Sequence, residues 1–395
     1  MASTDSSEWL EARIMENLAK ILSPEENTYT VSEERILMPD GIKLAADFYQ
    51  PDMPADCKPY GLIYVLGPYG RKVFRGTGGS EGTFVVAMTE QADPQAVVRW
   101  RREQPWYPGK FVTFGPSYLG YVQWALLRDP PEDLMASVNL CRQDEANGGG
   151  ISSILELRKL KSVIEAAPLF DATERFLDGK APRRHLDLVN VPLLLRSGWY
   201  DTLTAQTLAA YARVRGRGIK VYLTVGPSTH TEACGPNALP EVFDFLDEYV
   251  AGRKKVHRPL SVKVFVTGAE EWRALPSWPP ATEERTFHLQ GDMTVGAQTP
   301  AADSPPASFT YDPHNTTPTV GGPRQARSGR VDDSVFASRS DVLVYPSAPL
   351  NEDVEVMSMP AVQLGHSTDV PYADPWIRLS EVDTDGVSHN LTENW

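Results

Sequence analysis

Ser117 lies between an apolar run and a helical pattern, and this arrangement constrains the fold most strongly. The run 111–114 (FVTF) has the composition of a buried strand, and the pattern over 118–127 is typical of a helix. Gly115 and Pro116 supply the turn between them. A serine at a sharp strand-to-helix turn lifts its hydroxyl above the edge of a sheet, and the helix N-terminus behind it favours negative charge. The turn therefore predicts a nucleophilic serine, and a serine that only caps the helix is the alternative.

Strand-like and helical patterns alternate through most of the first 254 residues. The predicted strands are a hairpin at 29–38 and 42–49 around an Asp-Gly turn, followed by 61–66, 111–114, 134–140, 191–195 and 219–225. The predicted helices cover 8–22, 93–102, 203–214 and 240–250. This alternation predicts an α/β fold, with a mostly parallel sheet and helices on both of its faces.

Two segments depart from the alternation and predict further parts of the fold. Residues 142–190 are helix-rich and follow the sheet strands closely, which is typical of a lid. From about residue 255 turn residues become frequent, and short alternating runs occur at 260–266, 285–289, 308–311, 341–345, 354–364 and 376–379. We therefore predict a sheet domain at 1–141 and 191–254, a helical cap at 142–190, and a jelly-roll β-sandwich at 255–395.

Composition excludes several classes of partner. The net charge of −14 and the lack of basic runs argue against nucleic acid and against an anionic membrane surface. No apolar stretch reaches the roughly 20 residues that a membrane span needs, and the N-terminus has no signal-peptide pattern. The three cysteines lie far apart without metal-ligand spacing, so we expect a reducing, cytoplasmic environment.

Two further residues give Ser117 the partners that a nucleophilic serine requires. Asp201 comes just after the predicted strand 191–195 and the five residues 196–200 that continue from it, and His230 comes just after the strand 219–225. A serine needs a base, and the base needs an orienting carboxylate. The order Ser, Asp, His is that of the α/β-hydrolases, in which these groups collect at the carboxyl ends of the strands. The alternatives are a helix N-cap for Asp201 and a solvated loop position for His230.

Several longer runs carry a resemblance to a known family. They are 38–47 (MPDGIKLAAD), 67–70 (GPYG), 75–82 (RGTGGSEG), 104–106 (QPW), 115–120 (GPSYLG), 198–201 (GWYD), 226–230 (GPSTH), 311–313 (YDP) and 341–345 (DVLVY). With these runs the chain resembles the cocaine esterase/X-Pro dipeptidyl-peptidase-like (CocE/NonD) serine hydrolases over nearly its whole length. The resemblance implies an α/β-hydrolase domain, a helical cap and a C-terminal jelly roll.

The resemblance also implies roles for particular residues. The Tyr69 hydroxyl and the Tyr118 backbone N–H would be the oxyanion donors, and a packed aromatic ring is the alternative for Tyr69. Trp106, Trp199 and Tyr200 are candidates for lining an acyl pocket, with core packing as the alternative. The family implies no metal and no organic cofactor.

This chain departs from the family in four places. The family has a helix and another core strand before the RGTGGSEG run, whereas here residues 71–74 join the two motifs directly, which is too short for a parallel crossover. The segment 142–190 is short for a cap and would leave a wide cleft. The chain stops before the last strands of a complete jelly roll, and the open edge would favour a homodimer. Ser228 stands where the family often has tryptophan beside the histidine.

These observations predict a serine hydrolase that cleaves an ester or amide of a small acyl compound through an acyl-enzyme. An acyltransferase, or a hydrolase within a biosynthetic pathway, would use the same three residues. A degenerate, non-catalytic binding protein is the third hypothesis, since the apparent loss of a core strand could disable the site.

Overall fold

The computed structural model describes residues 28–54, 56–67, 74–83, 92–141, 186–253, 260–323, 329–370 and 375–394. The chain divides into two compact units, Met1–Ala274 and Leu275–Trp395. The predicted helix at 8–22, Tyr69 and nearly all of the predicted cap lie outside the described residues.

The N-terminal unit is built on a mainly parallel sheet, as the alternation predicted. Its strands are β1 (Tyr29–Leu37), β2 (Lys43–Pro51), β3 (Leu62–Tyr64), β4 (Phe111–Pro116), β5 (Leu134–Leu140), β6 (Leu193–Tyr200), β7 (Val221–Thr229), β8 (Val262–Val266) and β9 (Glu271–Leu275). Strands β3 to β9 form one seven-stranded sheet in chain order. Neighbouring strands from β3 to β8 are parallel, so their carboxyl ends meet at one edge of the sheet.

Helices cover the faces of this sheet. They are α1 (Ala92–Arg102), α2 (Tyr118–Leu126), α3 (Thr204–Arg215), α4 (His230–Ala233) and α5 (Leu239–Leu246), and a π-helical turn, Asp247–Ala251, continues α5. One side of the core joins Ala136, Val138 and Leu140 of β5 to Val242 and Phe245 of α5. Within the ranges given above, every helix is too short or too polar to span a bilayer.

The β1–β2 hairpin forms a sheet of its own. Its strands pair antiparallel from Tyr29–Pro51 to Leu37–Lys43, around the predicted Asp40-Gly41 turn. Among the described residues the central sheet ends at β3, a strand of three residues that pairs only with β4. The loss of a core strand before the RGTGGSEG run stays a prediction, because residues 68–73 and 84–91 lie outside the described part of the chain.

The C-terminal unit contains two antiparallel strand pairs in its described part. They are β10 (His288–Leu289) with β11 (Val295–Gly296), and β12 (Ile377–Val382) with β13 (Ser388–Asn394). The strands predicted at 308–311, 341–345 and 354–364 are wrong, since these residues have no strand pairing. Their apolar side chains, such as Phe309 and Val356, are exposed. An alternating pattern produces a strand only where a partner strand accepts its hydrogen bonds.

The central sheet extends beyond residue 255, where the sequence predicts the start of the C-terminal domain. Strands β8 and β9 lie in the central sheet, and the two compact units separate at Ala274. The short alternating run at 260–266 resembles the β-rich tail in composition, which is why the sequence pattern assigns it there. Its parallel pairing with β7 brings it into the sheet.

Candidate active site

Ser117 occupies a strained turn between β4 and α2. Its backbone has φ 55° and ψ −125°, a positive-φ conformation that residues other than glycine seldom adopt. The Ser117 N–H donates to the Leu140 carbonyl at 2.9 Å, which ties the turn to the end of β5. Strain of this kind persists only where the surrounding structure holds it, and it concentrates at functional sites.

Two glycines let the turn close. A Cβ on Gly115 would stand 2.6 Å from the backbone of Leu119, so only glycine allows α2 to approach β4 this closely. Leu119 occupies the position where the usual G-x-S-x-G pattern has its second glycine. Its buried side chain fills the space above Gly67, where a Cβ would lie 2.5 Å from the Leu119 Cγ. The departure from the usual motif is therefore accommodated by a glycine on another segment.

Asp201 follows β6 and is buried, with only 2% of its surface exposed. One carboxylate oxygen accepts from the Leu203 N–H at 3.0 Å, and the other accepts from the Ser197 hydroxyl at 2.9 Å. Burial disfavours its charged form, but the hydrogen bond and charge of His230, together with hydrogen bonds from the Leu203 N–H and the Cys141 thiol, outweigh burial and hold the pKa of Asp201 below its ordinary value. Asp201 is therefore ionised at neutral pH. The N-cap of α3 is Leu203, so the helix N-cap expected as the alternative for Asp201 is wrong, and the bond from the Leu203 N–H belongs to the turn before the helix.

His230 begins α4, directly after β7. The Glu232 carboxylate accepts from the Thr229 N–H and hydroxyl at 2.9 and 2.8 Å, which fixes the start of this short helix. His230 Nδ1 lies 2.8 Å from Asp201 Oδ1, and its Nε2 lies 3.0 Å from Ser117 Oγ. Because His230 is only 7% exposed and makes both bonds, the solvated-loop alternative is wrong.

This hydrogen-bond chain has a defined chemical capacity. An ionised Asp201 favours the tautomer with the proton on Nδ1, which leaves Nε2 free to accept a proton from the Ser117 hydroxyl. A serine activated in this way can attack an electrophilic carbon, and a protonated imidazole can return the proton to a leaving group. The arrangement therefore suits acyl transfer.

Of the other predicted site residues, Tyr118 lies beside Ser117, whereas Trp106, Trp199 and Tyr200 make packing or hydrogen-bond contacts within the fold. Tyr118 is the first residue of α2, so its backbone N–H lies at the helix N-terminus, where no intrahelical acceptor exists. Trp106 stacks on Phe48 with ring centroids 4.2 Å apart, which is a packing contact with β2. Trp199 donates its indole N–H to the Phe265 carbonyl at 2.6 Å, and buried Tyr200 pairs with Thr229 across β6 and β7.

Two cysteines beside His230 were not identified from the sequence. Cys141 directly follows β5, and Cys234 follows α4, yet their sulfur atoms and one His230 nitrogen lie within 4.8 Å of one another. Burial raises the pKa of the Cys141 thiol, and the neighbouring Cys234 thiol raises it further. The spacing along the chain gives no sign of this cluster. The available signal is that Cys141 directly follows a predicted strand and that Cys234 lies four residues after His230.

A substitution at Gly198 tests how closely β6 packs against residues 228–230. A Cβ at this position would overlap the backbone carbonyl of Ser228, two residues before His230. We expect Gly198→Ala to lower the free energy of unfolding by about 1–3 kcal/mol, since backbone must move to admit the methyl group. Chemical denaturation measures this loss. Gly268→Ala is the matched control, because its Cβ would meet nothing within 4 Å, and equal losses in both variants would contradict the packing argument.

Comparison with known proteins places the chain in a family. The family model "X-Pro dipeptidyl-peptidase (S15 family)" matches residues 72–151 and 156–232, ranges that contain Ser117, Asp201 and His230. The model "X-Pro dipeptidyl-peptidase C-terminal non-catalytic domain" matches residues 254–395. The chain belongs to the cocaine esterase/X-Pro dipeptidyl-peptidase-like family of serine hydrolases. Tyr69 lies before the first matched residue, so the match does not extend to this family motif.

Relatives of this family share the overall architecture. The cocaine esterase of Rhodococcus sp. (strain MB1 Bresler) is 25% identical, over 91% of this chain and 82% of the relative. An aminopeptidase from a marine sediment archaeon, Thaumarchaeota archaeon, has a TM-score of 0.66 at 20% identity, covering 84% of this chain and 74% of its own. An α-amino acid ester hydrolase has a TM-score of 0.63 at 19% identity, with the same coverages. These structural likenesses show the α/β-hydrolase fold, and the second family model identifies the C-terminal non-catalytic domain.

Proposed function

We propose that this chain hydrolyses an ester or amide of a small, largely apolar acyl compound through an acyl-enzyme on Ser117. The observation that carries the proposal is the continuous hydrogen-bond chain from the half-buried Ser117 Oγ through buried His230 to buried Asp201, at the carboxyl ends of parallel strands of one sheet. The names of the relatives, a cocaine esterase, an α-amino acid ester hydrolase and an aminopeptidase, support the choice of an ester or amide bond.

The proposed reaction has two halves. Ser117 Oγ attacks the substrate carbonyl carbon while His230 Nε2 takes the hydroxyl proton, and Asp201 stabilises the resulting imidazolium. The Tyr118 backbone N–H, and the Tyr69 hydroxyl by family resemblance, would donate to the oxyanion. Collapse of the tetrahedral intermediate breaks the bond to the alcohol or amine, which leaves with the proton from His230. Water then attacks the acyl-enzyme by the same route and releases the acid and the free serine.

A fluorophosphonate probe tests this proposal, because only an activated serine displaces the fluoride. We expect one adduct per chain by intact-mass spectrometry, mapped to Ser117 by peptide sequencing. Ser117→Ala should show no adduct, and His230→Ala should react far more slowly, since the general base is missing. Circular dichroism spectra that match the parent establish that both variants are folded.

Two results would contradict the proposal. A folded parent protein that takes up no probe would favour the non-catalytic binding hypothesis. An adduct that persists in Ser117→Ala would place the reactive residue elsewhere. When labelling is as expected, product analysis with candidate acyl esters in the presence of added alcohols or amines separates hydrolysis from acyl transfer.

The proposal also covers the fold of the C-terminal unit and the cellular location of the protein. The two antiparallel pairs β10–β11 and β12–β13 support a jelly-roll C-terminal unit. The free thiols of Cys57, Cys141 and Cys234 support a cytoplasmic location.

A further inference from the structure

Three side chains from three different segments meet beside the proposed active site. Cys141 is fully buried at the end of β5, His230 is buried at the start of α4, and partly buried Cys234 follows that helix. One ligand atom from each lies within 4.8 Å of the other two. Cys141 and Cys234 also pack against Leu203 and Ala233, which form an apolar wall on one side of the cluster.

Each sulfur atom makes a weak bond to a backbone carbonyl, and the Cys141 thiol also lies beside the Asp201 carboxylate and the Cys234 thiol. The Cys141 thiol donates to the His230 carbonyl at 3.4 Å, and the Cys234 thiol donates to the Leu140 carbonyl at 3.6 Å. A sulfur–hydrogen group is a weak donor, so little is lost when a stronger partner replaces these bonds. Two thiols packed as small apolar groups would be the purely structural interpretation. The geometry adds a third ligand to the two thiols, because the bonds of His230 to Asp201 and Ser117 place an imidazole nitrogen within reach of both sulfurs.

The ligand set is one that thiophilic divalent metals prefer. A tetrahedral zinc ion binds thiolate at about 2.3 Å and imidazole at about 2.0 Å, so its ligand atoms stand roughly 3.5–3.8 Å apart. The cluster, with separations up to 4.8 Å, reaches this geometry by a small contraction. Two cysteines and one histidine leave a fourth position for water, as in known catalytic zinc sites. Cys234 is partly exposed, which gives an ion an approach to the buried pair.

We propose that Cys141, Cys234 and His230 form a thiophilic divalent-metal site, and that a bound ion switches off Ser117. The switching part rests on the proposed function. Both ring nitrogens of His230 are already engaged, one by Asp201 and the other by Ser117. Coordination through either nitrogen therefore breaks one of these two bonds. Binding releases the two thiol protons to solvent, and the divalent ion replaces them without any change of oxidation state.

Cadmium chloride added to the reduced, full-length protein tests the site directly. We expect one bound Cd²⁺ per chain by elemental analysis after gel filtration, with an ultraviolet thiolate-to-cadmium charge-transfer band that saturates at the same ratio. Cys234→Ala and Cys141→Ala should each lose the band and the bound ion. Cys57→Ala is the matched control, because Cys57 is exposed and lies outside the cluster, and it should behave like the parent.

Fluorophosphonate labelling then tests the switch. Stoichiometric Cd²⁺ should slow labelling of Ser117 by roughly 10²-fold or more, since the base is captured, and a chelator should restore the rate. The labelling rate of Cys234→Ala with Cd²⁺ should equal its own rate without metal. No band in the parent, a band that survives in Cys234→Ala, or a saturated band with unchanged labelling would each overturn the proposal. If the parent protein is not labelled even without metal, the proposed function is wrong. The charge-transfer band and the number of Cd²⁺ ions bound per chain still test the metal site in that case.

Discussion

Asp201→Asn is expected to slow fluorophosphonate labelling of Ser117 by about 10⁴-fold while the protein stays folded, as for the equivalent change in serine hydrolases with this arrangement. Asp201 accepts from His230 Nδ1 at 2.8 Å inside a buried pocket. Its depressed pKa keeps it ionised at neutral pH, so it stabilises the imidazolium that forms on proton transfer. An asparagine is neutral and removes this charge, and its amide N–H can force the proton onto the opposite ring nitrogen.

The labelling rate across the neutral pH range measures this effect. Asp187→Asn is the matched control, because Asp187 is an exposed aspartate whose carboxylate pairs with Arg213 away from the proposed triad. It should label at the parent rate. If Asp201→Asn labels as fast as Asp187→Asn, the carboxylate does not orient His230 for catalysis, and the proposed assignment of Asp201 is wrong.

The second large effect concerns Arg75, which begins the RGTGGSEG run. Arg75 donates two parallel hydrogen bonds to the Asp93 carboxylate, both at 2.6 Å. Asp93 is only 5% exposed and lies in the first turn of α1, where the helix dipole also favours a negative charge. A third bond, 2.5 Å to Asp40, connects the same guanidinium to the β1–β2 turn. Arg75 therefore links the separate hairpin to the helix that covers the central sheet.

Arg75→Met is expected to lower the free energy of unfolding by about 3–5 kcal/mol, because it leaves the Asp93 carboxylate buried without its charged partner. Urea unfolding followed by tryptophan fluorescence measures the loss. Arg213→Met is the matched control, since Arg213 makes the same two-bond contact with Asp187 on an exposed surface. The control should lose far less stability, because exposed ion pairs are screened by water.

The double variant Arg75→Met/Asp93→Asn separates pairing from burial. Removing both charges should recover part of the stability that Arg75→Met alone loses, because no unpaired buried charge then remains. Equal losses in Arg75→Met and Arg213→Met would show that the buried pair contributes no more than a surface pair. In that case the specific RGTGGSEG run would need an explanation other than this link.

Local sequence patterns predicted most strands of the sheet and the placement of its three central residues, but not β9 and not the place of β8 in the sheet. Apolar runs and helical periodicity predicted β4, β5 and α1 to within about two residues, because these patterns report the repeat of the backbone itself. Ser117, Asp201 and His230 each directly follow a strand. Since parallel strands end at one edge, that placement alone predicts that the three meet.

Contacts between distant segments were decided only by the tertiary structure. The fit of Leu119 onto Gly67, the link from Arg75 to Asp93, and the meeting of Cys141 with Cys234 all join residues whose local patterns carry no sign of the partner. The alternating runs at 308–311 and 354–364 have a strand-like pattern but form no strand, because no neighbouring strand pairs with them. The sequence by itself determined the order of strands, helices and turn residues, because propensity and periodicity act within a few residues. Which side chains touch depends on sheet register and helix packing, which bring together positions far apart along the chain.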